Sequence, residues 1–157
     1  MRPGTLAPAQ CVGFGAAAAI MAKEGAGETE RITALAVRFR EKIEAAWPEV
    51  MINGSLEARY QGNLNMVFPG IDGDMLIAGL RDLAVSSGAA CASAETGPSY
   101  VLKAIGLGNA LADSSIRFGF GRYTSREDAD FAADQVIEAL NMLGPVSGRA
   151  PGKRAEG

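Results

Sequence analysis

In SSIRFGFGR, residues 114–122, apolar and non-apolar residues alternate: Ile116, Phe118 and Phe120 fall on one side, Arg117, Gly119 and Gly121 on the other. A period of two belongs to a β-strand, whose successive side chains point to opposite faces. One face of this strand is apolar enough to be buried, and the other is nearly bare. The same alternation recurs in NLNMVFPG (63–70), where Leu64, Met66 and Phe68 oppose Asn63, Asn65 and Val67. VMING (50–54) reads as a further short strand closed by an Asn-Gly turn, and residues 84–86 as a brief one.

The segments between these strands have helical spacing. From Glu28 to Trp47, Ile32, Leu35, Ala36, Phe39, Ile43 and Ala46 form one apolar stripe, with Arg31, Arg38, Glu41, Lys42 and Glu44 off it, and Pro48 ends the run. DGDMLIAGLRDL (72–83) starts at an Asp and should be helical. SYVLKAIGL is opened by Pro98 and Ser99 and stopped by Gly106 and Gly108. A last helix carries Ala132, Val136, Ala139, Leu140 and Leu143 on its core side, with Thr124 and Glu127 as its capping box. CVGFGAAAAIMA (11–22) reads as a buried, Ala-rich helix opened by Pro8. It is too short to span a bilayer, and its single Arg2 and two preceding prolines fit a secretory signal poorly. These elements predict an α+β fold, a small, mainly antiparallel sheet covered by helices.

Composition removes several functions. The chain has 157 residues, enough for one domain with a real core. A net charge of −3 with mixed signs gives no basic field to hold nucleic-acid phosphates. With no histidine, Cys-His and Ser-His-Asp hydrolase chemistry is excluded, as is any zinc site that uses imidazole. Two cysteines, Cys11 and Cys91, make neither a zinc site nor a disulfide framework, so no metal site is expected. That usage fits a reducing compartment, and the expected location is the cytoplasm.

Three positions could carry chemistry. Cys91 sits in SSGAACASAETGPSYVL (86–102) among small residues that give a thiol little cover. It reads equally as a reactive thiol or as a small buried hydrophobe, and no nearby Lys or Arg activates it. Arg117 lies on the glycine-bearing face of its strand. There a guanidinium has room to grip a carboxylate with two parallel hydrogen bonds, or to lie over the sheet edge in water. Thr5, in RPGT, offers a hydroxyl and an N–H to an anion, or simply turns the chain into the first helix.

Taken in order, MRPGTL, LAVSSGAACASAETGPSYVLKAIGL and SSIRFGFGRYT closely resemble the C-terminal part of NifS-like cysteine desulfurases, pyridoxal-phosphate enzymes of the class V aminotransferase family. The resemblance runs from residue 2 to about residue 143. It implies that the fold is the C-terminal small domain of a fold-type I pyridoxal-phosphate enzyme. It also implies that Cys91 takes the sulfur of L-cysteine as a persulfide and leaves alanine, and that Arg117 binds the substrate carboxylate. Thr5 would reach the cofactor phosphate of the partner subunit in a homodimer. The persulfide would pass to an acceptor protein, such as an iron–sulfur scaffold or a tRNA-thiolation protein. Nothing in the resemblance calls for nucleic acid or a membrane as partner.

Members of that family are much longer. Their large N-terminal domain carries the Schiff-base lysine next to a histidine, a second histidine stacked on the cofactor, and an aspartate at the pyridine nitrogen. The lysines here, Lys23, Lys42, Lys103 and Lys153, form no His-Lys pair. Met1 matches an internal position of the family pattern. The expectation is therefore a truncated desulfurase, inactive alone: residues 1–25 trailing from the absent large domain, 26–144 the small domain, and 145–157 a disordered tail. A non-enzymatic persulfide carrier or acceptor-docking module is the alternative. A plain transaminase or kynureninase-like lyase is disfavoured by Cys91.

Overall fold

A computed structural model describes residues 4, 7–87 and 99–144. Its elements are α1 (Pro8–Ala46), β1 (Met51–Ile52), β2 (Asn63–Val67), α2 (Gly73–Gly79), α3 (Tyr100–Ala104), α4 (Asn109–Asp113), β3 (Ser115–Gly119) and α5 (Arg126–Leu143). The strands form one antiparallel sheet in the order β1-β2-β3. Leu64 faces Phe118 and Met66 faces Ile116, so the two alternating sequences bring their apolar residues to the same face. The expected strand at 84–86 is reduced to a single antiparallel bridge between Ser86 and Arg117. Gly54, at φ +80°, supplies the left-handed residue of the Asn-Gly turn.

The apolar face of the sheet packs against α1 and α5. Ile32, Leu35, Phe39 and Ile43 from α1 meet Leu64, Met66, Ile116, Phe118 and Phe120 from the sheet and Val136 and Leu140 from α5. Phe39 is the hinge pin of this contact, with ring centroids 4.8 Å from Phe118 and 5.3 Å from Phe120. Both spacings lie in the range where tilted aromatic pairs attract.

Four further details differ from the sequence expectations. The two helices expected around residues 8–23 and 28–47 are one continuous helix of 39 residues. Gly25 and Gly27 lie within it, and α1 is tied down on both sides of them. Arg122 pairs with Glu24 at 3.0 Å and with Glu28, while Arg31 donates to the carbonyls of Gly121, Arg122 and Thr124. These contacts offset a glycine cost of about 1 kcal/mol each. The Ala-rich segment is also exposed rather than buried, with Phe14 80% accessible, because no element of the described residues lies over it.

The third difference is the cap of α5, which is Ser125 with Asp128, not Thr124 with Glu127. Thr124 is used one step earlier, its hydroxyl accepting the Gly121 N–H at 3.0 Å to close the preceding turn. The buried stripe also differs: it includes Ala129 and Ala133, while Ala132 and Leu143 are only partly buried. Ala46, at the far end of α1, is exposed. The fourth is α4, over residues to which the sequence pattern gives no element. Gly108 caps a short turn of helix that buries Leu111 and Ala112.

The cap and its neighbour make the fold acid-sensitive. The Ser125 N–H, 2.8 Å from Asp128, and the Ser125 side chain hold the Asp128 carboxyl below its usual range; the Arg38 fork, at 2.6 and 2.9 Å, does the same for Asp130. Carboxyls lowered in the folded state stabilise it above their unfolded pKa of about 3.9, and that stability is lost as pH falls through the folded values. Urea midpoints should therefore drop below pH 4, and Arg38→Gln should flatten the drop. Ser125→Ala should cost about 1 kcal/mol at neutral pH, and an unchanged midpoint would contradict the cap.

Among the described residues no helix is long and apolar enough to cross a membrane.

Candidate functional site

The sheet face turned away from α1 carries a row of polar residues running straight across the strands. Arg117 on β3 is opposite Asn65 on β2, and on its other side it bridges to Ser86. Asn53, following β1, continues the row, its N–H donating to the Asn65 carbonyl at 3.0 Å. The Arg117 backbone spends its N–H (2.7 Å) and its carbonyl (3.3 Å) on Ser86. Its pairing with Asn65 is therefore of the non-hydrogen-bonded kind, in which side chains stand closest.

The inner end of the row is fixed. Asn53 is buried, and its Nδ2 donates to Asn65 Oδ1 at 2.6 Å and to Ser115 Oγ at 3.2 Å. Ser115, fully buried, donates in turn to the Leu111 carbonyl at 2.7 Å, which ties the row to α4. Arg59 holds the Asn53 carbonyl from the loop side at 2.9 Å, and burial lowers its pKa. Sequence reasoning misses this network, because Asn53 reads locally as part of an Asn-Gly turn and nothing local marks Ser115. Only the strand register brings them together.

The outer end is open. Arg117 is exposed, and its guanidinium has no hydrogen bond or ion pair among the described residues. A Cβ built on Gly119, its neighbour on the same face, would meet nothing within 4 Å. The arrangement is a planar cation beside empty space, able to take a two-oxygen anion. Of the three candidate positions, Arg117 lies on the open face of β3, whereas Cys91 and Thr5 lie outside the described residues. The link that can be stated is covalent: Cys91 follows Ser86, the bridge partner of Arg117, by five residues.

A cleft of about 420 Å³ opens between Leu83–Val85, the segment 118–124 that includes Gly119, and the start of α5. A groove of about 370 Å³ lies between α2 and α5.

Comparison with known proteins adds a family to this geometry: the aminotransferase class-V family matches residues 1–131. The chain belongs to the aminotransferase class-V family. Its curated relatives include the proteins named cysteine desulfurase IscS from Ectopseudomonas mendocina, 52% identical over 147 residues, and from Azotobacter vinelandii, 51% identical over the same length. Each match covers 94% of this chain but 36% of the relative. Two solved structures share the fold over 90% of this chain and 36% of their own. They are a NifS-like protein (TM-score 0.75, 24% identity) and the NifS-like protein of Rickettsia africae (TM-score 0.71, 25% identity). The class-V chain described here therefore spans about 36% of the length of the relatives it matches.

The class-V family depends on pyridoxal phosphate, which forms a Schiff base with a lysine. The described residues do not fit that role by themselves. Lys42 is engaged by Asp134 at 2.7 Å and by the Asp130 carbonyl at 3.3 Å; Lys23 and Lys103 stand exposed on α1 and α3. No lysine lines either the cleft or the groove. Lys153 lies outside the described residues.

Proposed function

We propose that this chain is the C-terminal part of a cysteine desulfurase, in which Arg117 binds the carboxylate of L-cysteine and Cys91 accepts its sulfur. The observation that carries the reading is the open, unpartnered Arg117 beside Gly119, bridged to Ser86 at the entry to the segment that contains Cys91. The net chemistry balances without an outside oxidant. The substrate C–S bond breaks, an S–S bond forms at Cys91, the proton displaced from the thiols ends on the former sulfur-bearing carbon, and alanine leaves.

In this reading residues 26–144 are the small domain and residues 1–25 trail from a large domain that supplies the cofactor lysine. The latter is supported by the bare apolar side chains Val12, Phe14, Ile20 and Met21 on the first half of α1. The boundary falls inside an unbroken helix, so the orientation of the small domain follows that of residues 8–23. Residues 145–157 lie outside the described residues. Thr5 reaches the cofactor phosphate of the partner in a homodimer, and a cytoplasmic acceptor, such as an iron–sulfur scaffold or a tRNA-thiolation protein, takes the persulfide. A stand-alone persulfide carrier would have no use for a carboxylate clamp, and Arg117 counts against it.

Two measurements test the reading. The chain alone should release no alanine from L-cysteine, and the chain joined to the preceding portion of a curated relative should do so with added pyridoxal phosphate. Failure of the joined protein, once shown to be folded, would overturn the proposal. Left alone, the chain should self-associate through the exposed α1 segment. Light scattering should report oligomers that Val12→Ser with Phe14→Ser disperses; a clean monomer before mutation would contradict the large-domain contact.

A further inference from the structure

We infer that Asn65 is a second donor to the substrate carboxylate, aimed by the buried Asn53–Ser115 relay; the inference rests on reading Arg117 as the carboxylate clamp. Donor and acceptor counting fixes the direction of every bond in the row. A backbone carbonyl only accepts, so Ser115 must give its single hydroxyl hydrogen to Leu111. Toward Asn53, Ser115 can then only accept, and Asn53 must present its NH2 group to it. The second hydrogen of that NH2 goes to Asn65, which must therefore present its oxygen. Each assignment follows from the one before it, starting from an atom that cannot be flipped.

The consequence lies at the exposed end. With Oδ1 committed to Asn53, the Asn65 amide nitrogen is turned away from Asn53, on the half-exposed face it shares with Arg117. Its two hydrogens have no partner among the described residues. Arg117, the cross-strand neighbour, carries donors only and cannot accept them. Two adjacent donor groups with no acceptor between them suit an anion with several lone pairs. A carboxylate has about four such sites, so a guanidinium fork on two of them leaves room for a third hydrogen bond.

The test uses the joined holoenzyme and two ligands, L-cysteine and cysteamine, which has the same amine and thiol but no carboxylate. Binding is read from the cofactor absorbance. Asn65→Asp keeps the oxygen that accepts from Asn53 but replaces the donor with a negative oxygen. It should weaken L-cysteine binding roughly 30- to 100-fold and leave cysteamine within about twofold. Asn65→Ala, which adds no charge, should weaken L-cysteine about tenfold, again with cysteamine spared. Equal losses for both ligands would mean a merely structural role and overturn the inference, as would parent-like L-cysteine binding in both variants. Arg117→Ala separates the two claims. If it loses the preference for L-cysteine while the Asn65 variants keep it, the inference fails and the clamp stands. If Arg117→Ala keeps the preference, the clamp itself is wrong.

Discussion

Cys91→Ser in the joined enzyme should cut alanine and sulfide formation by roughly a thousandfold or more while L-cysteine still binds. A thiolate is the nucleophile toward sulfur, and a serine hydroxyl neither ionises near neutral pH nor forms an S–S bond. Binding should survive because, in the proposed arrangement, the carboxylate is held by Arg117 on the sheet and not by the cysteine. Loss of product with retained binding is therefore the expected signature. Loss of both would place Cys91 in substrate binding instead.

Phe39→Ala should destabilise the chain by about 3 to 5 kcal/mol, the range for removing a buried aromatic ring. Phe39 is essentially inaccessible and contacts both Phe118 and Phe120, so its loss opens a cavity between α1 and the apolar face of β3. The urea midpoint should fall with little change in slope. A loss under about 1 kcal/mol would mean that α1 and the sheet do not share one core. The effect should be far larger than that of any single ion pair between α1 and α5. Arg38 with Asp130 and Lys42 with Asp134 are partly exposed pairs of a kind worth little in water.

The sheet could be read from sequence because its information is local and has period two. Ile116, Phe118 and Phe120 against Arg117 and Gly119 admit one arrangement, and Leu64, Met66 and Phe68 match it. The continuity of α1 could not be read this way. Gly25 and Gly27 argue locally for a break, and what overrides them, Arg122 on Glu24 and Glu28, is about a hundred residues away in sequence. The α5 cap failed by one residue for a similar reason, since Thr124 and Ser125 are both competent caps and only the turn at Gly121 selects between them.

The same division holds for the site. Arg117 was legible as an arginine with glycines beside it on one strand face. Asn65 was legible only as a polar strand residue, because its role comes from the register with Arg117 and from the relay through Asn53, Ser115 and Leu111. Cys91 is legible from the small residues around it and from the motif they form, and it lies outside the described residues.

The most direct test is to treat the joined holoenzyme with L-cysteine, quench it with an alkylating agent, and map the cysteine-containing peptides by mass spectrometry. The proposed function predicts that the peptide with Cys91 gains the mass of one sulfur atom, one per alanine released in the first turnover, and that the peptide with Cys11 does not. Alanine release with an unmodified Cys91, or with the added sulfur on another residue, would contradict it.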